Sequence, residues 1–361
     1  MSMNQMPKLQ LFIHPNDLKE LRRDVWNDEP VPAILKVKNK KIHIDVSYRG
    51  SHIREFKKKS YFISFNKPYV VDGAHEIHLN AEFIDPSIMR NKLSLDFFSN
   101  LGILSPHSQH TFLSINGKFE GIYLQLESVD QYFLKKRNLP QGPIFYAVDD
   151  DANFSLIGSF DKEAKKSLDA GFERKCGTPD DHLYLAEFIY KLNTTSKHEY
   201  EHVIVKFLDV EKYLLWLAGV VCTQNFDGFV HNYALYRNPD SGLFEIIPWD
   251  FDATWGRDIN GKPLNYDFVR IEGFNTLTAR LLDIDVFRKM YYNIMNRILH
   301  NEFTLEYMRP KIEQLYFLLR PHVLNDPYIK ENIEKFDSEP DFIYEFIVKR
   351  NTYLKNQLSR L

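Results

Sequence analysis

Three residues stand at a spacing that suits chemistry: Asp227, Asn232 five positions later, and Asp250 beyond two short strand-like runs. A carboxylate carried on a turn can orient a hydroxyl or take its proton. A side-chain amide oxygen and a second carboxylate are hard donors, which suits Mg²⁺, an ion that keeps several waters and needs few protein ligands. A bland account covers the same residues. Asp227 can cap a turn with Gly228, and Asn232 can satisfy loop backbone. An Asp-x4-Asn pair recurs by chance, so its value depends on the elements around it.

Those elements are favourable. The run Asn225-Phe-Asp-Gly-Phe-Val-His-Asn-Tyr closes a helix expected over 209–224, where Val210, Leu214, Leu217 and Val221 form one apolar stripe. Strands are expected over 233–236 and 244–247, joined by Asn238-Pro-Asp-Ser-Gly and followed by Trp249-Asp-Phe-Asp. A helix end can aim the first carboxylate while a hairpin brings Asn232 and Asp250 together. Protein kinases use the same order: a catalytic Asp, a metal-binding Asn five residues on, a hairpin, then a metal-binding Asp. The chemistry implied is phosphoryl transfer from ATP, with charge offset by Mg²⁺ and a lysine.

Lys59 leads as the phosphate-contacting lysine, because it begins an alternating strand expected over 59–65. A solvated basic edge is the plain reading of Lys57-Lys58-Lys59, and it fits Lys57 better than Lys59. Arg49-Gly50-Ser51 can offer backbone amides to phosphate. Glu82, Asp85 and Asp96 are equal candidates for the lysine's acidic partner. Trp249 and Tyr146 can stack on adenine. With 28 Phe and 20 Tyr in the chain, core packing explains either ring as well. His231 reads as a hydrogen-bonded structural group, and Asp149-Asp150-Asp151 as a solvated loop.

The positioning elements define an α+β chain. Its first third is strand-rich, with strands expected over 8–14, 32–37, 41–48, 59–65, 111–115 and 119–126. A helix from about 86 carries Met89, Leu93 and Phe97 on one face, and Asn116-Gly117 marks a tight turn. Helices are then expected over 181–193, 209–224, 283–299, 304–319 and 340–361, and 149–180 reads as an irregular surface excursion. The plan is two-lobed: a smaller β-rich lobe over 1–129 and a larger helical lobe over 130–361 carrying the catalytic and metal residues. The same order also allows a single α+β domain.

Composition narrows the function. A net charge of −3 excludes a globally basic nucleic-acid binder. Two cysteines, Cys176 and Cys222, give no disulfide framework or Cys-based zinc site. No run of about 18 apolar residues is present and the N-terminus lacks a signal-peptide core, so a soluble protein without membrane partners is expected.

Several segments together resemble the spore coat protein H (CotH) kinase family along nearly the whole chain. They are Tyr48-Arg-Gly-Ser-His-Ile-Arg, Phe56-Lys-Lys-Lys-Ser-Tyr, Met89-Arg-Asn-Lys-Leu-Ser-Leu-Asp-Phe-Phe, Gly121-Ile-Tyr-Leu-Gln-Leu-Glu-Ser-Val-Asp, Phe226-Asp-Gly-Phe-Val-His-Asn-Tyr and Ile247-Pro-Trp-Asp-Phe-Asp-Ala-Thr-Trp-Gly-Arg-Asp. The resemblance implies an atypical protein kinase on a divergent two-lobed kinase-like fold. Its cofactors would be ATP and Mg²⁺, with Mn²⁺ as a substitute, and its substrates serines of spore coat proteins. It places the chain in the mother-cell cytoplasm and then the spore coat. Asp227 takes the catalytic position, Asn232 and Asp250 the metal positions, and Lys59 the phosphate lysine. The sequence departs from ordinary kinases in lacking Gly-x-Gly-x-x-Gly, a His-Arg pair before Asp227 and Ala-Pro-Glu. Asp252 stands where a kinase has glycine, and can add a metal ligand. Two alternatives remain: a small-molecule phosphotransferase, and a coat scaffold with a vestigial nucleotide site.

Overall fold

The computed structural model describes residues 6–37, 40–66 and 73–361. The fold is mixed α and β, in two compact units. One comprises Met1–Lys92, Pro106–Ser128 and Glu313–Pro340, and the other Leu93–Ser105, Val129–Ile312 and Asp341–Leu361.

The first unit is built on seven strands: β1 (Lys8–Ile13), β2 (Val31–Val37), β3 (Lys40–Tyr48), β4 (Tyr61–Phe65), β5 (Glu76–Asn80), β6 (Ser108–Ile115) and β7 (Lys118–Glu127). They close into a barrel in the order β1-β2-β3-β4-β5-β7-β6. Alternation drives this. In β1 every second residue is buried, and β4 turns Tyr61, Ile63 and Phe65 inward. Leu35, Ile44, Leu79 and Leu113 meet these rings in one apolar core. The β2–β3 turn expected at Asn39-Lys40 falls partly outside the described residues. Asn116 and Gly117 are both left-handed, as a two-residue hairpin turn needs. The Asn116 side chain also bonds both backbone groups of Ile13, so the hairpin that ends β6 fastens β1 beside it.

Closure depends on a parallel pairing of β1 with β6, for example Leu9 with Leu113. Local patterning does not reveal this closure, since nothing in either strand names a partner a hundred residues away. Strand β5 was not expected. Four of its five residues are buried in succession, so it lacks the alternation by which a strand is recognised. Lys59 lies two residues before β4 and not within it. Helix α1 (Pro15–Arg23) follows β1 closely.

Helix α2 (Arg90–Asn100) buries Leu93 and Phe97 as its four-residue spacing predicts. The second unit adds α3 (Gln131–Lys136), β8 (Ile144–Ala147), β9 (Phe172–Cys176), α4 (His182–Thr194), α5 (Lys197–Ile204), α6 (Val210–Thr223), β10 (Tyr233–Arg237), β11 (Phe244–Pro248), α7 (Thr276–Leu282) and α8 (Asp285–His300). Its sheet has the order β11-β10-β8-β9, with α6 packed on β11 and α8. The stretch 149–180 is irregular and largely exposed, as expected, but it is anchored at two points. Phe154 is fully buried, stacked on Tyr233 with ring centroids 5.5 Å apart, and β9 extends the sheet. Helices α9 (Leu305–Val323) and α10 (Ile333–Gln357) complete the chain. α10 passes through Pro340, where a helix start was expected, because Phe336, Ile343 and Ile347 form one continuous buried stripe.

His110 on β6 is fully enclosed. Its Nε2 donates to the Ile88 carbonyl at 2.7 Å, while Nδ1 meets no hydrogen-bond partner among the described residues. Burial therefore opposes the charged ring and lowers its pKa to about 4, with the Ile88 carbonyl acting against that shift. Below the ordinary histidine pKa near 6.5, the unfolded chain binds the proton more readily than the folded one. The stabilising contribution is thus complete above pH 6.5 and is lost as pH falls towards 4. We expect urea unfolding to show an acid loss of order 3 kcal/mol across that window, and His110→Gln to flatten it.

Candidate active site

The site begins with the end of α6. Asp209 caps its start, accepting from the Lys212 amide, and the body of the helix is almost wholly buried. At the far end Gln224 turns left-handed, with φ of 60°. The Asn225 amide then reaches back to the Val220 carbonyl at 3.2 Å, the reversed bond that ends a helix in a tight hook. The Val221 carbonyl, which accepts the Gln224 amide at 3.3 Å, is met from α10 as well. Arg350, fully buried, donates from Nε and Nη2 to Val221 O at 3.1 and 2.7 Å, and from Nη1 to Tyr266 O at 2.8 Å. A cation here also complements the negative end of the helix dipole. Burial lowers the Arg350 pKa to about 10, leaving it charged at neutral pH.

The hook delivers the chain into a single 3-10 turn, Asp227–Phe229. Asp227 is half-buried, and its carbonyl accepts the amides of Val230 and His231, both at 3.0 Å. Asn225, 1% exposed, fills the turn from inside: its Oδ1 accepts the Gly228 amide at 3.0 Å. His231 bonds Asp150 Oδ1 through Nδ1 at 2.9 Å, which ties the 149–180 stretch to this loop.

The hairpin β10–β11 supplies the other groups. Its register pairs Tyr233 with Pro248, and the Trp249 amide extends the ladder to the Asn232 carbonyl at 3.1 Å. Asn232 and Asp250 therefore emerge from the same end of one hairpin. Both are left-handed, with φ of 61° and 58°. Such backbone is uncommon outside glycine, most accessible to Asn and Asp, and often found at functional sites. Phe251 then turns inward and is fully buried, edge-on to Phe98 at 4.9 Å. Phe98 fits because α6 carries Gly219 opposite it, where a β-carbon would stand 2.3 Å from the ring. Asp250 and Asp252 flank this anchor, each half-buried. Trp255 closes the segment onto α6, its amide donating to Thr223 O at 2.9 Å.

The structure thus gathers Asp227, Asn232, Asp250 and Asp252 around one helix end and one hairpin end. Tyr146 and Trp249 are brought together as well. Their rings meet edge to face at 5.2 Å over a buried cluster that includes Val129, Phe133 and Ile247, and the Tyr146 hydroxyl accepts the Val129 amide. Lys59 belongs to the barrel unit. It is half-buried, its ammonium donates to the Arg54 carbonyl, and burial lowers its pKa against the opposing charge of Glu55. Its neighbour Lys58 is the lysine with an acidic partner, Asp326 at 3.8 Å, and both are fully enclosed. Of the three acids proposed as partners, Asp85 pairs with the buried Arg90, and Glu82 accepts from Asn91 at 3.1 Å.

Asn225, Arg350 and Asp326 were not singled out from sequence. Arg350 and Asp326 act across more than a hundred residues, and no local pattern marks either. Asn225 could have been found: a polar residue directly after an apolar helix and two before the key carboxylate is a natural turn filler. Among the described residues, no three His, Cys, Asp or Glu side chains are grouped tightly enough to hold a metal ion by themselves. An Asn-plus-carboxylate set is a different arrangement, completed by phosphate and water.

A family model described as CotH kinase protein matches residues 46–354. The chain belongs to this family. It is 59% identical to inner spore coat protein H of Bacillus subtilis (strain 168) over 358 residues, 99% of each chain. It is 30% identical to an inner spore coat protein H-like protein of the same strain over 305 residues, 84% of this chain and 87% of the other. Two solved structures align at a TM-score of 0.33, too low to define a shared architecture. One is the Helicobacter pylori proinflammatory kinase CtkA, at 12% identity with 91% of this chain and 92% of that chain covered. The other is a Shewanella oneidensis HipA, HipB and operator DNA complex, at 11% identity with 96% and 74% covered. No helix among the described residues is long and apolar enough to cross a membrane.

If Arg350 holds the end of α6, replacing it by an apolar residue of similar length takes the side-chain donor from the Tyr266 carbonyl and leaves Val221 O with the Gln224 amide at 3.3 Å. Arg350→Met should then lower unfolding free energy by about 2–4 kcal/mol in urea titrations. An unchanged midpoint would show that these carbonyls find other donors.

Proposed function

We propose that this member of the CotH kinase family is a protein serine kinase that transfers the γ-phosphate of ATP to serines of spore coat proteins. One observation carries the reading. The buried Asn225 side chain accepts the Gly228 amide of the Asp227 turn at 3.0 Å and lies 3.5 Å from the Asp250 carbonyl, at the end of the hairpin that bears Asn232. Family membership and the coat-protein names of the two relatives support the substrate class.

In this reading Asp227 orients the serine hydroxyl and accepts its proton. The serine oxygen bonds to the γ-phosphorus as the bridging bond to the β-phosphate breaks, and ADP leaves. Asn232, Asp250 and Asp252 offer hard oxygens, a donor set that fits Mg²⁺, with Mn²⁺ as a substitute. When bound, the metal supplies positive charge against the phosphates. Lys59 is the lysine proposed for phosphate contact, and Trp249 with Tyr146 forms an aromatic wall for adenine. The left-handed backbone at Asn232 and Asp250 keeps both side chains at the mouth of the hairpin, so little reorganisation accompanies the reaction.

Purified protein should move label from γ-labelled ATP to a serine-rich coat protein. Asp227→Ala and Asp250→Ala should each reduce that transfer about a thousandfold or more, with circular dichroism unchanged. Transfer that survives both substitutions overturns the site. Label found on a small molecule but never on protein overturns the substrate class, and incorporation from α-labelled ATP would identify AMP transfer instead.

A further inference from the structure

We propose that Asn225 is a positioning residue that locks the Asp227 turn to the Asp250 peptide, fixing the base and the metal-side carboxylate relative to one another. The inference rests on the reading of Asp227 and Asp250 given above and deepens it.

The two ends of the Asn225 amide face different partners. Oδ1 accepts the Gly228 amide at 3.0 Å, within the turn that carries Asp227. Nδ2 points to the Asp250 carbonyl at 3.5 Å, the outer limit of a hydrogen bond. Only one orientation of the amide works, since an N–H needs the oxygen and a C=O needs the nitrogen. The side chain is 1% exposed, so neither partner exchanges it for bulk water. On the turn side, a β-carbon at Gly228 would meet Asn225 Cγ at 3.4 Å, an ordinary van der Waals contact.

Asn225 is itself held. Its amide bonds Val220 O, and the left-handed Gln224 before it is fixed through Nε2 to the Asn265 carbonyl at 2.9 Å. The Asp250 peptide has less support of its own, being left-handed and one residue past the last hairpin bond at Trp249. A donor aimed at its carbonyl sets the peptide plane, and with it the direction in which the Asp250 side chain leaves the backbone. A filler of the turn alone would need only the Gly228 contact. The second contact, twenty-five residues away in sequence, distinguishes a clamp from a filler.

Two substitutions separate the arms. Asn225→Ala removes both. Asn225→Asp keeps an acceptor for Gly228 but places a carboxylate oxygen against the Asp250 carbonyl, which it cannot donate to. We expect Gly228 amide exchange to quicken about tenfold or more in the alanine variant and to stay protected in the aspartate variant. In phosphotransfer from ATP to coat protein, both variants should lose about 10- to 100-fold in kcat, with acceptor KM within twofold of wild type. Gly228 exchange unchanged by Asn225→Ala overturns the turn arm, and kcat retained in Asn225→Asp overturns the Asp250 arm. A wild-type protein with no phosphotransfer overturns the kinase reading and the positioning role with it, while the exchange comparison still decides the turn arm.

Discussion

A helix that ends in the protein interior leaves carbonyls with no water to accept from, and each must be met by a donor from elsewhere in the chain. That constraint at the end of α6 governs the candidate site. The left-handed Gln224 lets the Asn225 amide fold back onto Val220, and Arg350 arrives from α10 to satisfy Val221. Because these bonds leave α6 only one exit, the next residues leave in one direction. Asp227 follows within three residues of the hook. A helix ending at a solvated surface could fray, and the carboxylate would then be carried on a mobile segment.

The hairpin meets this exit through a second set of constraints. Its ladder ends with the Trp249 amide on Asn232, and beyond that point the chain must re-enter the core at Phe251. Gly219 makes room for Phe98, Phe98 receives Phe251, and the two aspartates are left on either side of the anchor. Placement of Asp250 and Asp252 thus follows from packing of an apolar residue between them. The same logic explains the tolerance of left-handed backbone at Asp250. A buried ring one residue later holds a conformation that the isolated segment would rarely adopt.

What sequence reasoning could reach follows from range. The stripe of α6, the turn at Asn116-Gly117 and the strands β10 and β11 are local patterns, and the structure places them within a residue or two of expectation. The spacing of Asp227, Asn232 and Asp250 was visible because one helix end and one short hairpin hold all three. Barrel closure was not, since β1 finds β6 through a pairing that neither strand encodes alone. The partner of Lys58 is Asp326, and that of Val221 is Arg350, each joined by tertiary packing only. Pro340 misled in the other direction. Its preference for the first turn of a helix is real, but buried Phe336 and Ile343 on either side outweigh the lost hydrogen bond.

The distribution of charge separates groups committed to the interior from groups that are only partly enclosed. Lys58, Arg90 and Arg350 are enclosed, and each has an opposite charge or several carbonyls within bonding distance. Withdrawing any of them would leave its partner buried and uncompensated, at a cost of several kcal/mol. Lys58 in particular donates to Ile122 O, sits over the Tyr123 ring and faces Asp326, so it is committed to the barrel although it is the more buried of the two lysines. Lys59 differs: it is half-buried and its described hydrogen bond is to one backbone carbonyl. Partial burial also lowers its pKa, which marks an ammonium that would gain from an anionic neighbour. The same partial exposure characterises Asp227, Asp250 and Asp252. Lys59 can therefore change partners without unfolding anything, whereas Lys58 cannot.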